Sequence, residues 1–545
     1  MEDPNLYKKN PNLVKNHDVE DIYKRWDCIV PIEIQDKVEQ YVRHLYGKKI
    51  QTSKQFHQEL VVLQRKHKLI VKKSQLLHVY NMLLATDEIK PDQTLRRLLQ
   101  KKASKSESGV LVITVLTSPY PTFTDTETGQ KQKQRFSCKW NCYYCPNEPD
   151  QPRSYLHDEP AVLRANQNDF DAELQFIERA ATLAAMGHPV DKIELLILGG
   201  TWASYPQQYQ EEFIRDLFYA ANTFYDRTKR PRMHLKQEQE ENENALCKII
   251  GLTLETRPDC ITEDEIRLFR KYGCTRIQLG IQHTDDSVLQ IVNRQSTRSD
   301  AVKAIQLLKN ACYKIDIHLM PNLPGSNLEM DEQMFKDVLY NHELQVDQWK
   351  IYPCEVVPWT VIKKWHESGK YVPYPENDLF ELLMKIKTEV HPWIRLNRVI
   401  RDIPSQYISG GINTPNLRQT LIATMKERGT QCRCIRCREV GSNIDKFTKD
   451  TCKLMVREYK ASHGRELFIS IESLDEQTIM GFLRLRLLSD SENQSQFPEL
   501  NGAALIRELH VYGKLIATHD HVNRNSQHQG FGTQMMKHAE QIAVS

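Results

Sequence analysis

The chain has 545 residues, more than one ordinary core organises, and a prior of roughly 100 to 200 residues per domain divides it into three or four units. No run approaches the roughly 20 apolar residues of a membrane helix, and the opening MEDPNLYKKNPNL lacks the apolar block of a signal peptide. Membrane and secreted classes are therefore excluded, and the expected place is the cytoplasm, with the nucleus as the alternative. Net charge is only +3, yet 15 Lys/Arg and 4 Asp/Glu fall between Arg43 and Lys105, so the positive charge is concentrated there.

In chain order, residues 1–108 read as a basic helical module, because 37–49, 56–67, 76–84 and 94–102 space their apolar residues three and four apart. Lys72, Lys73, Arg96, Arg97, Lys101 and Lys102 can neutralise RNA phosphates there, with Tyr80 or the histidines stacking on bases; the alternative is a solvated charged face. From 109 to 375 the rhythm changes. Short apolar runs at 111–116, 193–198, 249–254, 276–281, 315–320 and 348–352 alternate with helix-like stretches. This α/β alternation predicts a parallel array and an open (βα)6 barrel, with chemistry at the C-terminal ends of its strands. KQEQEENENALC, at 236–247, reads as a surface loop. A connecting region, 376–452, and a mixed α/β segment, 453–545, complete the chain.

Six of the thirteen cysteines form two tight groups, the pattern of metal binding rather than of a disulfide framework. Cys138, Cys142 and Cys145 stand as C-x3-C-x2-C in a long loop after the first predicted strand. A four-iron cluster ordinarily takes four thiolates, so three leave one iron open. An open iron can take the amino and carboxylate groups of S-adenosylmethionine (SAM), whose reductive cleavage releases a 5′-deoxyadenosyl radical. In isolation the three thiols suit zinc equally well, completed by a distant ligand. Their place after strand one, Tyr144 beside the third cysteine and five further βα units identify the radical SAM superfamily.

Groups suited to SAM follow at later strand ends. Gly199 and Gly200 allow close backbone approach, or form a plain turn. Glu255 can accept from ribose hydroxyls, Arg257 can pair with the SAM carboxylate, and Gln278 and Gln282 flank the fourth strand; taken singly, each is equally readable as a surface pair. Cys432, Cys434 and Cys437, in C-x-C-x2-C spacing, suit tetrahedral zinc with one remote ligand, or are free buried thiols. Gln527, Gly530, Phe531 and Gly532 fit the Q/R-x-x-G-x-G/A loop that binds the pyrophosphate of CoA at a helix start.

SYLHDEPAVLRA, HPVDKIELLILGGTW, GLTLETRPD, YGCTRIQLGIQ, HLMPNLPG, WKIYP, IRDIPS, NLRQ and IRELHVYG, in this order, strongly resemble the catalytic subunits of Elongator from about residue 75 onward. The resemblance implies a radical SAM barrel followed by a GNAT-type acetyltransferase domain. It also implies tRNA uridine-34 acetyl transfer, with [4Fe-4S], SAM and acetyl-CoA, and zinc between the domains. Cys138, Cys142 and Cys145 would hold the cluster, and Lys350 and Tyr352 of WKIYP would lie in the active site. Expected partners are tRNA, Elongator-type subunits and a second copy of the chain, with no membrane. Two departures stand out. Cys145-Pro146-Asn147-Glu148 replaces the family's Cys-Pro-Gly-Gly, and the first cysteine spacing is shorter than in many Elongator subunits. Because Ser545 falls within the helix after the CoA loop, the GNAT-like domain is read as incomplete, with weak acetyl-CoA binding expected. The rival functions are a protein lysine acetyltransferase and a catalytically silent tRNA-binding protein.

Overall fold

The computed structural model describes residues 13–26, 30–102, 105–106, 108–226, 228–414, 416–441, 446–488, 494–513 and 530–544. Four N-terminal helices, Ile32–Gly47, Ser53–His67, Lys73–Ala85 and Gln93–Leu99, bury Val38, Tyr41, Leu45, Leu63, Leu76, Tyr80 and Leu95 in a core of their own. Their starts are set locally: Thr52 and Gln55 form a reciprocal cap, and the Asp92 carboxylate accepts from Leu95 N–H. The earlier helix Val19–Trp26 does not belong with them. Its Ile22 packs into the core of the barrel.

The barrel contains β1 (Leu111–Leu116), β4 (Lys192–Leu198), β5 (Lys248–Thr256), β6 (Arg276–Gln282), β7 (Lys314–Leu319), β8 (Gln348–Ile351) and β9 (Arg395–Arg398), all parallel and hydrogen-bonded in that order. The small antiparallel pair β2 (Thr122–Thr124) and β3 (Lys131–Lys133) lies in the loop that leads to the first cysteines. The six predicted strands are present, and β9 adds a seventh from the region expected to be a connector. β9 escapes the sequence pattern because RLNR carries one apolar residue, Leu396, which is buried. KQEQEENENALC is also not a loop. The helix Leu235–Asn242 forms there, because Glu238 turns inward to a bidentate pair with Arg230 (2.7 and 2.8 Å) and Asn242 reaches Cys247 O.

Alternation along each strand divides the sheet into two faces. Ile193, Leu195, Leu252, Leu254, Ile277, Leu279, Ile315, Ile317, Trp349 and Ile351 meet the surrounding helices in one continuous core. The opposite face is polar: Gln278 bonds to Asp316 on the next strand, while Lys350 reaches Gln278 and Asn397 reaches Asp316 two strands away.

Four antiparallel strands follow: β10 (Cys452–Ala461), β11 (Gly464–Ser473), β12 (Ile479–Leu487) and β13 (Ala504–Val511). The helix Phe531–Val544 packs Phe531, Met535 and Ala539 on them. A fully buried ionic network joins this sheet to the barrel. Arg507 grips Asp347, just before β8, with both Nη atoms (2.6 and 2.7 Å) and also pairs with Glu466. Glu466 pairs in addition with Lys309 (3.0 Å) and Arg486 (3.1 Å), and Arg484 with Glu508 (3.0 Å).

Removing one partner of such a network leaves a buried charge uncompensated, at a cost of about 3 to 5 kcal/mol. Arg507→Met is therefore expected to lower the urea midpoint markedly, whereas Arg465→Met, which breaks an exposed pair with Glu458, should leave it in place. Burial raises the carboxyl pKa of Glu466, but Arg507, Lys309 and Arg486 outweigh this and bring it to about 2; Asp347 is likewise held below its ordinary value. Their contribution is thus complete above the unfolded carboxylate range, near pH 4.3, and is lost as pH falls toward about 2. Equal midpoints for the two arginine variants would show that the network does not hold the units together.

Candidate active site

Cys138, Cys142 and Cys145 line one cavity at the C-terminal mouth of the barrel, together with Trp140, Tyr155, Gly200, Thr201, Glu255, Arg257, Gln282 and Arg294. The loop that carries them is tied down locally. Tyr143 N–H donates to Val292 O, Asn147 N–H to Trp359 O, and the Glu148 carboxylate accepts from His157 N–H at 2.7 Å. The two residues that depart from the family pattern, Asn147 and Glu148, are thus themselves part of the scaffold of the loop.

Spacing of the sulfurs separates the two cysteine groups. Among the described residues, only Cys432, Cys434 and Cys437 bring three donors within 4.8 Å of one another. A single tetrahedral ion with Zn–S of about 2.3 Å needs sulfurs roughly 3.8 Å apart. The first group instead shares one cavity with Arg153, Arg257 and Arg294.

Cations surround the first group. Arg257 Nη1 lies 3.5 Å and Arg294 Nη1 3.6 Å from Cys142 Sγ, and Arg153 Nε lies 3.4 Å from Cys145 Sγ. Burial raises the Cys142 pKa, but Arg294 and Arg257 overcome it, so the thiol is pushed below its ordinary value toward the thiolate that binds iron. Burial dominates at Cys145 and raises it.

The expected SAM residues divide. Glu255, Arg257, Gly200 and Gln282 line the cavity; Gly199 and Gln278 are not among its lining residues. A Cβ on Gly199, at φ +123°, would meet Thr117 Oγ1 at 2.1 Å, and one on Gly200 would meet the Phe136 ring at 2.5 Å. Both glycines are thus required by close packing of the protein itself. Arg257 is nearly saturated, bonded to Asp259 (2.9 and 3.2 Å) and Arg294 O (2.6 Å) and stacked over Trp140. Lys350 and Tyr352 are not among the lining residues. Lys350 Nζ donates to Gln278 Oε1 (2.6 Å), and burial lowers its pKa against the opposing pull of Asp316 and Glu255. Tyr352 is held protonated by burial and meets His318 edge to face at 5.5 Å.

Sequence reading missed Trp140, Arg153, Tyr155, Arg294 and His318. Arg294 stands in NRQST, where nothing marks it; the alternation Asp316, His318 along β7 was the available signal for His318.

The second cysteine group lies where the two cores meet. Cys432 and Cys434 belong to the barrel core, and Ile435 and Val440 to the C-terminal one. Lys387 Nζ and Arg418 Nη1 lie 3.8 and 3.6 Å from Cys437 Sγ. Burial raises the Cys434 pKa, but hydrogen bonds from Cys432 and Cys437 with the nearby Arg418 and Lys387 bring it well below its ordinary value. Among the described residues no fourth donor joins the group. Of the expected CoA loop, Gln527 lies outside the described residues. Gly530, at φ +76°, and Gly532 flank the start of the last helix, while the Phe531 side chain is buried in the core and so is not free to contact a ligand. The basic residues are mostly exposed: Lys72, Arg96, Arg97, Lys101 and Lys102 face solvent, but Lys73 is half-buried, bonded to Leu98 O and set over Phe56.

Replacing Cys138, Cys142 and Cys145 together with Ser is expected to abolish iron binding and visible iron-sulfur absorbance after anaerobic reconstitution. Full iron content in that variant would refute the assignment.

The Radical SAM superfamily profile matches residues 136–338, and the Radical_SAM C-terminal domain profile matches 346–427. The chain is 36% identical over 469 residues to the tRNA uridine(34) acetyltransferase of Methanocaldococcus infernus, covering 84% of this chain and 83% of that one. It is 35% identical to Elongator complex protein 3 of Saccharomyces cerevisiae (83% and 80% covered) and to that of Homo sapiens (82% and 79%). The solved structure of the archaeal Methanocaldococcus infernus Elp3 with an N-terminal deletion superposes with a TM-score of 0.65 at 34% identity, over 80% of this chain and 91% of that one. With its cysteine-lined barrel mouth and this similarity along most of its length, the chain belongs to the Elongator complex protein 3 family of radical SAM enzymes.

Proposed function

We propose that this chain is a tRNA uridine(34) acetyltransferase that forms a carboxymethyl group at C5 of the wobble uridine. The observation that carries the reading is the three-cysteine cavity at the mouth of a polar-lined barrel, joined by buried ions to a four-stranded antiparallel sheet with a helix packed on it. Relatives 36% identical carry the name of this activity. Among the described residues no helix is long and apolar enough to cross a membrane.

Cys138, Cys142 and Cys145 would hold a [4Fe-4S] cluster and leave one iron for SAM. Cluster and SAM, when bound, supply the one-electron chemistry that breaks a C–H bond of acetyl-CoA. The protein's part is binding and exclusion. The Glu255 carboxyl is the acceptor placed for ribose hydroxyls, and Gln282 offers an amide beside it. Burial raises the Glu255 pKa, while Lys350 and Arg401 act against this. Trp140 and Tyr155 contribute aromatic surface to the cavity lining. Lys350 and Tyr352 supply N–H and O–H donors, and we assign them to contact with the substrate. The backbone amides at the start of Phe531–Val544 would take the pyrophosphate of acetyl-CoA. Cys432, Cys434 and Cys437 would take zinc and brace the junction of the two cores. We place the protein in the cytoplasm, with tRNA as substrate and Elongator-type subunits as partners.

Incubation of the reconstituted, reduced chain with tRNA, SAM and acetyl-CoA should yield 5′-deoxyadenosine and carboxymethyluridine; deoxyadenosine alone would leave a radical enzyme of another substrate. Neutralising Lys72, Arg96, Arg97, Lys101 and Lys102 should reduce the slope of log affinity for tRNA against log salt by roughly 0.7 to 0.9 per lost contact. An unchanged slope would place the RNA elsewhere.

A further inference from the structure

A uridine-modifying site must tell uracil from cytosine, a ring of the same shape. The difference lies on the pairing edge: uracil presents an N3–H donor, cytosine an N3 acceptor beside an amino group. Base-modifying enzymes read this edge with buried polar groups, because a mismatched partner is then left unpaired. A uracil site therefore needs a buried acceptor near the reacting cavity that has no partner in the protein itself.

His318 has these properties. It lies on the polar face of β7, 5% exposed, paired in register with Lys350 of β8. Its Nδ1 is 3.8 Å from Glu255 Oε1, and Glu255 lines the cavity with the cysteines, so the imidazole stands one side chain from the cavity. Tyr352 packs against the ring edge to face. Nε2, on the far side of the ring, is buried and has no hydrogen-bond partner. Nδ1 faces the Glu255 carboxyl at 3.8 Å, longer than a hydrogen bond, and with the ring proton on that side Nε2 is an acceptor. Burial, with Lys350, Arg401 and Arg294 nearby, holds the ring well below its ordinary pKa and so neutral. Gln278 is bonded to Lys350 and Asp316, and Asn397 to Asp316 and Gln348, while Asp316 Oδ1 is a second buried acceptor atom without a partner.

We propose that His318 is a specificity-determining residue whose Nε2 accepts a hydrogen bond from N3–H of the target uracil and so admits uridine and refuses cytidine. This rests on the reading above that a wobble uridine is the substrate. The test uses anticodon stem-loops that carry uridine, N3-methyluridine or cytidine at the wobble position. Binding affinity and carboxymethyl yield are measured with the wild-type chain, H318Q and H318A, and iron content is measured for each protein. N3-methylation should lower wild-type affinity and yield roughly ten-fold or more, and should cost H318A little beyond its own loss, because the partner of N3–H is already gone. H318Q, whose amide can accept or donate, should narrow the preference for uridine over cytidine. A wild-type chain that handles N3-methyluridine or cytidine as well as uridine overturns the assignment without reference to any variant. The same holds if N3-methylation costs H318A as much as it costs the wild type. A wild-type chain that cleaves SAM and modifies none of the three overturns the substrate reading itself, and the role of His318 with it.

Discussion

The organising constraint is that a parallel strand has only two faces and that this barrel uses them for opposite purposes. The outer face of β4 to β8 is given wholly to Ile, Leu and Trp, which seal against the helices. This frees the inner face to be polar, and Gln278, Asp316, Lys350 and Asn397 are linked across strands there instead of the branched apolar layers that usually fill such a barrel. Burying so many polar groups is tolerable only because they satisfy one another. The few atoms left over, such as His318 Nε2 and Asp316 Oδ1, are where a ligand has something to pair with.

Above this lumen the cysteine loop is held by backbone bonds from Tyr143 and Asn147 and is flanked by Arg153, Arg257 and Arg294. Positive charge at the sulfurs favours thiolates, and it also lessens the repulsion that three of them would exert on one another. Arg257 shows how closely support and chemistry are joined. The same guanidinium caps Cys142, stacks on Trp140 and anchors Arg294 O, so it positions the cluster loop as much as it faces the cavity.

The far end of the barrel is closed by the second unit. Asp347 at the foot of β8 is clamped by Arg507 of β13, and Glu466 of β11 joins Lys309 to Arg486 and Arg507. A buried ionic contact of this kind is intolerant of sliding, because any shift leaves charges unpaired in a low-dielectric interior. It therefore fixes the angle between barrel and sheet more strictly than apolar packing alone.

The amino-acid sequence by itself determined the strands, the cysteine spacing and the family. Alternation of apolar runs with helical periods is a local property, and the ordered motifs from SYLHDEPAVLRA to IRELHVYG lie contiguous in the chain. β9 and the helix Leu235–Asn242 were not legible, because RLNR has one apolar residue and KQEQEENENALC hides the inward turn of Glu238 toward Arg230. Nor was the division of the candidate site. Gly199 and Gly200 were readable as close backbone approach to SAM or as a plain turn, but only the fold shows that Thr117 and Phe136 crowd them. Arg153 and Arg294 carry no local mark, since the cysteines they face are reached only through the fold. What only the tertiary structure decided is which polar groups are paired and which are left free, because pairing depends on register between strands distant in the chain.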